Sequence, residues 1–315
     1  LGCHQVPAFL GRQRPPHEAK PVLHLGIAFG VRVSPPGLRV DEQVFGPEDW
    51  QRAIAALPLD PAEVVYPFHA TEEMAEWARQ KTATYAAAGP EVRLQALQQA
   101  FFDKGEFEFE YEQARTLTAE EAFVARHGNC MAFTSLFIAL GRSLGYPVVM
   151  VTVERQPEVE REGSLVVVNR HVVAGFRSPQ RLYTYDFYVS TETPVSSRRV
   201  LDDIAASAAY HTNIGGHAIR VENLEEAVRN LRIATTLAPA WAPAWVNLGV
   251  AQSRLGDTNA AFEAFRRALE EEPGNSSALV NLARLYREQG REEEAENAIR
   301  AAAEGTRNPF TLITL

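Results

Sequence analysis

The sequence past residue 208 repeats itself. Pro239 and Pro273, Asn247 and Asn281, Leu248 and Leu282, and Gly256 and Gly290 are each 34 positions apart, as are successive members of the trios Ala227, Ala261, Ala295 and Ala234, Ala268, Ala302. A fixed period of this length leaves few folds open. Each copy is one supersecondary unit that cannot bury its apolar side alone and becomes stable only when stacked on its neighbours. Three copies cover about residues 208–308.

The chain has 315 residues, enough for a second domain with its own core ahead of the array. The formal net charge of -9 argues against a general nucleic-acid binder, because phosphate recognition needs a surplus of lysine and arginine. With 46% hydrophobic and 23% charged residues the composition is globular, and no run of about 20 apolar residues is present to span a bilayer. The two cysteines, Cys3 and Cys130, exclude a disulfide framework and lack the spacing of a structural zinc site. The reading calls for no cofactor and no metal.

Up to about residue 60 the chain carries Pro7, Pro15, Pro16, Pro21, Pro35, Pro36, Pro47 and Pro58, a density that predicts an extended arm or tether, with one short strand over Val22 to Val33. Beyond it Thr71 caps a predicted helix running to Ala88, and Gly89-Pro90 opens a second ending near Gly105. Phe107, Phe109 and Tyr111 alternate with glutamates, as in an extended segment with one buried face. Thr118 and Glu121 have the spacing of a capping box, which predicts a short helix ending at Gly128.

Next comes Arg126-His-Gly-Asn-Cys130, followed by Phe133, Leu136, Phe137, Leu140 and Leu144 on one helical face, with Gly145 and Pro147 as the stop. Gly128 and Asn129 thereby place Cys130 in the first turn of a buried helix. Unpaired amides and the positive end of the helix dipole there favour a thiolate, and the same amides could hold a developing oxyanion. The pattern then turns strand-like over Val148 to Val153, Leu165 to Phe176 and Leu182 to Val189, predicting three adjacent strands. A nucleophilic cysteine needs a base and a group to orient that base. His171 on the second run and Asp186 on the third fit those roles, because a hairpin through Ser178-Pro179 brings them together on the side facing the helix. His127, three residues before Cys130, is the competing histidine and is placed on the loop surface. His211 and His217 fall in the first repeat, either lining the cleft between the domains or solvated on the repeat surface.

The second repeat copy, with Trp245, Leu248, Gly249, Gly256, Ala261, Phe265, Ala268 and Pro273, closely resembles the tetratricopeptide repeat. That resemblance implies paired antiparallel helices whose stack leaves a concave groove, either a peptide-binding surface or a packing platform for the neighbouring domain. Thr118-Ala-Glu-Glu-Ala-Phe, Arg126-His-Gly-Asn-Cys130, Phe133-Thr-Ser-Leu-Phe, Leu144-Gly-Tyr-Pro, Asn169-Arg-His171-Val and Tyr185-Asp186-Phe together resemble the bacterial transglutaminase-like superfamily. The closing Asn308-Pro-Phe and the attached repeats are similar to a subgroup, often lipoproteins, that joins the two domains.

The resemblance implies Cys130 as nucleophile, His171 as base and Asp186 as orienting acid. It departs from the usual pattern at Val172-Val173, where many members have an aromatic, and in having no tryptophan before Asp186; Tyr183 and Tyr185 stand nearest that place. The expected architecture is an α+β transglutaminase-like (papain-like) domain, its nucleophile helix on an antiparallel sheet, followed by an all-α tetratricopeptide-repeat array. The divisions are 1–60 for the arm, 61–205 for the catalytic domain and 206–310 for the repeats. The expected function is a cysteine-dependent amide hydrolase or acyltransferase acting on a protein or peptide, the alternative being a catalytically silent scaffold that binds a protein partner in the repeat groove. The opening Leu1-Gly2-Cys3 resembles the end of a bacterial lipoprotein signal, which implies lipidation at Cys3 and a periplasmic location, with membrane contact only through that anchor.

Overall fold

A proline opens the first described helix, in a stretch whose proline density predicts broken structure. Pro47 stands at the start of α1 (Pro47–Ala55), where its missing N–H and fixed φ suit the first turn, and Glu48 and Asp49 complement the helix dipole. Trp50 and Ile54, four apart, are buried in the main core, so residues 46–60 belong to the folded body and not to a tether. A computed structural model describes residues 46–103, 105–154, 160–162, 165–167, 171–179, 181–187 and 197–305. Cys3, the strand expected at Val22 to Val33 and the rest of the proposed arm lie outside the described residues, as do Asn169, Arg170 and the Asn308-Pro-Phe close.

Thr71 caps α2 (Glu72–Lys81) by accepting the Met74 N–H. The helix stops well before Ala88: the Thr82 hydroxyl turns back to donate to Ala78 O, and a single 3-10 turn follows over Ala83–Tyr85. Helix α3 (Pro90–Ala100) likewise ends short of Gly105. Phe107 and Phe109 are buried as the alternation predicts, while Tyr111, in the two-residue β1 (Glu110–Tyr111), is 37% exposed. The capping box is present at α4 (Ala119–Ala125), which ends not at Gly128 but at Arg126, held in the left-handed region at φ 58. Strand β2 (His127–Gly128) pairs in parallel with β1 and leads directly into α5 (Cys130–Ser143).

Helix α5 is buried over most of its length, from Met131 to Gly141. Gly145, at φ 85, ends the following turn, and the chain enters β3 (Val148–Glu154). The run read as one strand from Leu165 to Phe176 is two elements. Strand β5 (Leu165–Val167) pairs with β4 (Glu160–Glu162) in a hairpin of its own, and β6 (His171–Arg177) pairs with β3. With β7 (Leu182–Tyr185) and β8 (Ser197–Leu201) the main sheet has the order β7-β6-β3-β8, antiparallel throughout, with four strands in place of three. The extra strand escapes pattern reading because an edge strand needs little apolar sequence: Val200 and Leu201 are buried, and the stretch before them reads as turn and charge.

Six helices follow in antiparallel pairs: α6 (Asp203–Arg220) with α7 (Leu224–Leu237), α8 (Ala242–Arg254) with α9 (Thr258–Glu271), and α10 (Ser276–Glu288) with α11 (Glu292–Gly305). The period of 34 recurs in the packing. A β-carbon on Gly215 would come within 2.5 Å of Leu231, and one on Gly249 within 2.5 Å of the Phe265 ring, so the close helix approach in the first two hairpins depends on a glycine. The turn positions also correspond. Gly256 and Gly290 have φ of 83 and 70, and Glu222 adopts φ 59 at the same place in the first copy.

The main core is continuous from the nucleophile helix into the first hairpin. Phe133, Leu136, Phe137 and Leu140 of α5 share one cluster with Ala206 and Tyr210 of α6, Ile233 and Leu237 of α7, and Trp241 and Ala244 beyond them. A boundary at 205/206 divides the chain but not this core. His211 shows the same continuity, since it is neither solvated nor in a cleft. It is 1% exposed, accepts the Val65 N–H at Nε2 (3.1 Å) and meets Asn230 Oδ1 at Nδ1 (2.9 Å), and burial pulls its pKa down.

Candidate active site

Cys130 is a free, half-buried thiol at the first position of α5. The two residues before it set its place. Gly128 has φ 153, and a β-carbon there would lie 2.4 Å from that of Ala132, so only glycine allows the strand to turn this tightly into the helix. Asn129 is the N-cap, and its Oδ1 accepts from Met131 N (3.0 Å) and Ala132 N (3.1 Å). Its own carbonyl accepts from Phe133 N. The expectation that the first-turn amides as a group could hold an oxyanion is thereby narrowed. Asn129 occupies those of Met131 and Ala132, and among the described residues only the Cys130 N–H has no acceptor.

The structure brings His171 and Asp186 together with this thiol. His171 Nε2 lies 2.7 Å from Asp186 Oδ2, and Cys130 stands near enough to the imidazole to act on its titration. The register explains the pairing. Ala174 stands opposite Tyr185, so Asp186, one residue past the strand, falls diagonally across from His171. Both residues approach from strand ends and not from the side of the sheet that packs on the helix. The residues of β6 that share a core with α5 are Val172, Ala174 and Phe176, whereas Val173 belongs to the cluster on the other face. Gln98 fixes the segment by donating to Asp186 O at 2.8 Å, and Thr134 ties α5 to β6 by donating to Val172 O at 3.2 Å.

Burial by itself would lower the His171 pKa. The hydrogen bonds and charges of Asp186 and Cys130 outweigh it and push the imidazole up to about 9. The other candidates stand elsewhere. His127 Nδ1 is 2.9 Å from Glu112 Oε2, close enough for an ion pair but not aligned as a hydrogen bond. Tyr185 stacks on Phe137 at 4.8 Å with its hydroxyl buried, and Tyr183 lies under the Arg181 guanidinium. Among the described residues no group of three or more histidine, cysteine, aspartate and glutamate side chains is arranged to hold a metal, and no helix is long and apolar enough to cross a membrane.

A thiol at the start of a buried helix, a His–Asp pair reaching it from an antiparallel sheet, and a stack of helical hairpins built onto the same core define a two-part protein, a cysteine-centred α+β domain with a repeat array. Comparison with known families agrees. Residues 75–187 match the Transglutaminase-like superfamily, and residues 213–276 and 253–309 match two tetratricopeptide repeat families. The chain therefore joins a transglutaminase-like domain to tetratricopeptide repeats, a kind of array that serves protein–protein interaction in general. A Caenorhabditis elegans protein described as Tetratricopeptide repeat protein 8 is 31% identical over 102 residues, 32% of this chain and 20% of that protein. The chain thus spans about a fifth of that relative's length. Among solved structures, MamA is similar at 21% identity over 33% of this chain and 64% of its own, with a TM-score of 0.30. A thermophilic repeat protein of Thermus thermophilus follows at 23% identity, 35% and 59% coverage and a TM-score of 0.29. The family matches carry the assignment.

Proposed function

We propose that the protein is a cysteine-dependent amide hydrolase or acyltransferase acting on a protein or peptide. The observation that carries this reading is the His171–Asp186 hydrogen bond beside the Cys130 thiol, which supplies nucleophile, base and orienter in one place. The Cys130 proton passes to His171, and the thiolate attacks an amide carbonyl while the Cys130 N–H donates to the developing oxyanion. Collapse of the adduct breaks the C–N bond, the leaving amine takes the proton from the imidazolium, and a thioester remains. Water or an incoming amine then gives its proton to His171 and attacks the thioester, yielding a carboxylic acid or a new amide and returning the thiol. Asp186 holds the imidazole throughout.

The test is alkylation of Cys130 by iodoacetamide, followed by mass spectrometry across pH 5 to 9, in the parent protein and in His171→Ala. The expected result is rapid labelling of the parent well below pH 8 and a large loss of rate in the variant. Equal rates in both, matching the denatured chain, would favour the silent protein-binding scaffold. A glutamine-containing protein offered with a fluorescent amine then separates cross-linking, seen as incorporated dye, from hydrolysis, seen as released ammonia alone.

A further inference from the structure

The amide of Asn129 has two halves, and α5 uses only one of them. The Oδ1 caps the helix; the Nδ2 points the other way, donating to Thr116 Oγ1 at 2.9 Å and to Asn213 Oδ1 at 3.2 Å, with Gln113 O at 3.4 Å. The Thr116 hydroxyl itself donates to Asn213 Oδ1. Three oxygens thus surround Nδ2. Inverting the amide would set its oxygen against two of them, Asn213 Oδ1 and Gln113 O, and would turn a donor toward the N–H groups of Met131 and Ala132. Asn213 is remote in sequence, on the first helix of the repeat array, and Asn129 is the residue directly before Cys130.

We propose that Asn213 is a positioning residue for Cys130, so that the first tetratricopeptide-repeat helix completes the active site of the neighbouring domain. This rests on the acyl-transfer reading above. Asn213 Oδ1 and Thr116 hold the Asn129 amide in the one orientation that caps α5. The cap fixes the first turn, and the first turn fixes the thiol against His171. The peptide that precedes Asn129 is held separately, by Asn129 N donating to Arg115 O at 2.9 Å and Glu112 N donating to Gly128 O at 3.0 Å, so loss of Asn213 frees the side chain of the cap before it frees the loop.

The experiment compares Asn213→Leu, Asn213→Asp and Thr116→Val with the parent in the full chain. Three measurements are made on each: thermal unfolding, the rate of Cys130 alkylation by iodoacetamide, and the titration of His171 followed by NMR. Asn213→Leu is expected to slow alkylation by about tenfold or more, since misplacing a reacting group by about 1 Å costs up to a hundredfold, and to lower the His171 midpoint from about 9 as its contact with the thiol is lost. Asn213→Asp keeps an oxygen acceptor in place, and its added charge can only raise that midpoint, so both properties should be retained. Should Asn213→Leu fail to fold, Thr116→Val breaks the same cradle from the other side and should reproduce the slower alkylation. A folded Asn213→Leu with parental alkylation and titration overturns the proposal. An unreactive thiol in the parent instead overturns the acyl-transfer reading on which it rests.

Discussion

Replacing Arg142 with methionine tests how firmly the first repeat is built into the core of the thiol-bearing domain. Arg142 sits in the last turn of α5 and reaches Asp203, the first residue of α6, in a bidentate pair, Nη2 to Oδ1 at 2.7 Å and Nη1 to Oδ2 at 2.9 Å. Its Nε donates to Val148 O at 2.8 Å, and its guanidinium lies over the Phe68 ring at 5.0 Å. The pair is shielded from water, the side chains being 14% and 2% exposed. Methionine fills much of the same space and removes the cation, so the buried carboxylate loses its bidentate partner, a change that costs about 3–5 kcal/mol in comparable settings.

The double variant Arg142→Met/Asp203→Leu removes the carboxylate as well and should recover most of the loss. Urea unfolding followed by tryptophan fluorescence at neutral pH reads all three proteins. A loss below about 1 kcal/mol in Arg142→Met, or no recovery in the double variant, would refute the argument that this pair fastens the two domains.

Asp186→Asn should lower the His171 midpoint from about 9, because burial is then opposed by Cys130 alone; a midpoint unchanged by NMR would deny Asp186 its orienting role. By linkage the raised His171 pKa of the parent stabilises the fold fully below about pH 6.5 and ceases to do so as pH rises through about 9, and in Asp186→Asn this alkaline loss should shrink in the pH dependence of unfolding. Gly249→Ala drives a methyl into the Phe265 ring and should cost about 1–3 kcal/mol of repeat stability; a neutral effect in thermal unfolding would mean that α8 and α9 separate freely. Removing residues 241–315 takes Trp241 and Ala244 out of the main core, so the truncated protein should aggregate or bind a hydrophobic dye, and a monodisperse, dye-negative product would count against the shared core.

What could be read from the sequence was whatever local pattern or a fixed period encodes. The capping box at Thr118, the helix of Cys130 with its cap and stop, and the three hairpins all follow from residues within one turn or one repeat of each other. Local signals erred where a residue has two uses. Pro47 opens a helix within a run of prolines that suggests none, and Thr82 ends α2 through its own hydroxyl although Ala83 to Ala88 has good helical composition. Contacts between distant segments left no pattern to read. Ser197–Leu201 becomes a strand only because β3 offers it an edge, and His211 is buried only because the segment at Val65 covers it. For the site, asparagine before a helical cysteine was visible as a cap, but nothing in a repeat consensus marks Asn213 as its partner.

These ties give α6 a role that the repeat pattern alone would not assign. It meets the nucleophile helix at both ends, through Asp203 at the last turn and Asn213 at the N-cap, so the two helices run in opposite senses. The 10 steps between Asp203 and Asn213 rise about 15 Å, against about 20 Å for the 13 between Arg142 and Asn129, and a long arginine side chain can span the difference. His211, between these contacts, adds a third tie through Val65. A helix held this way cannot shift along its axis without disturbing either the Asp203 pair or the Asn129 cap. Movement of α6 as a whole would be resisted by the shared core of Tyr210, Ile233 and Leu237. The later hairpins are tied in as well, since their core is continuous with Ala218, Ile219, Ala227 and Leu231 of the first hairpin, and α8 and α10 both meet β5 of the sheet domain. The array is therefore built onto the domain that carries the thiol through more than its first hairpin.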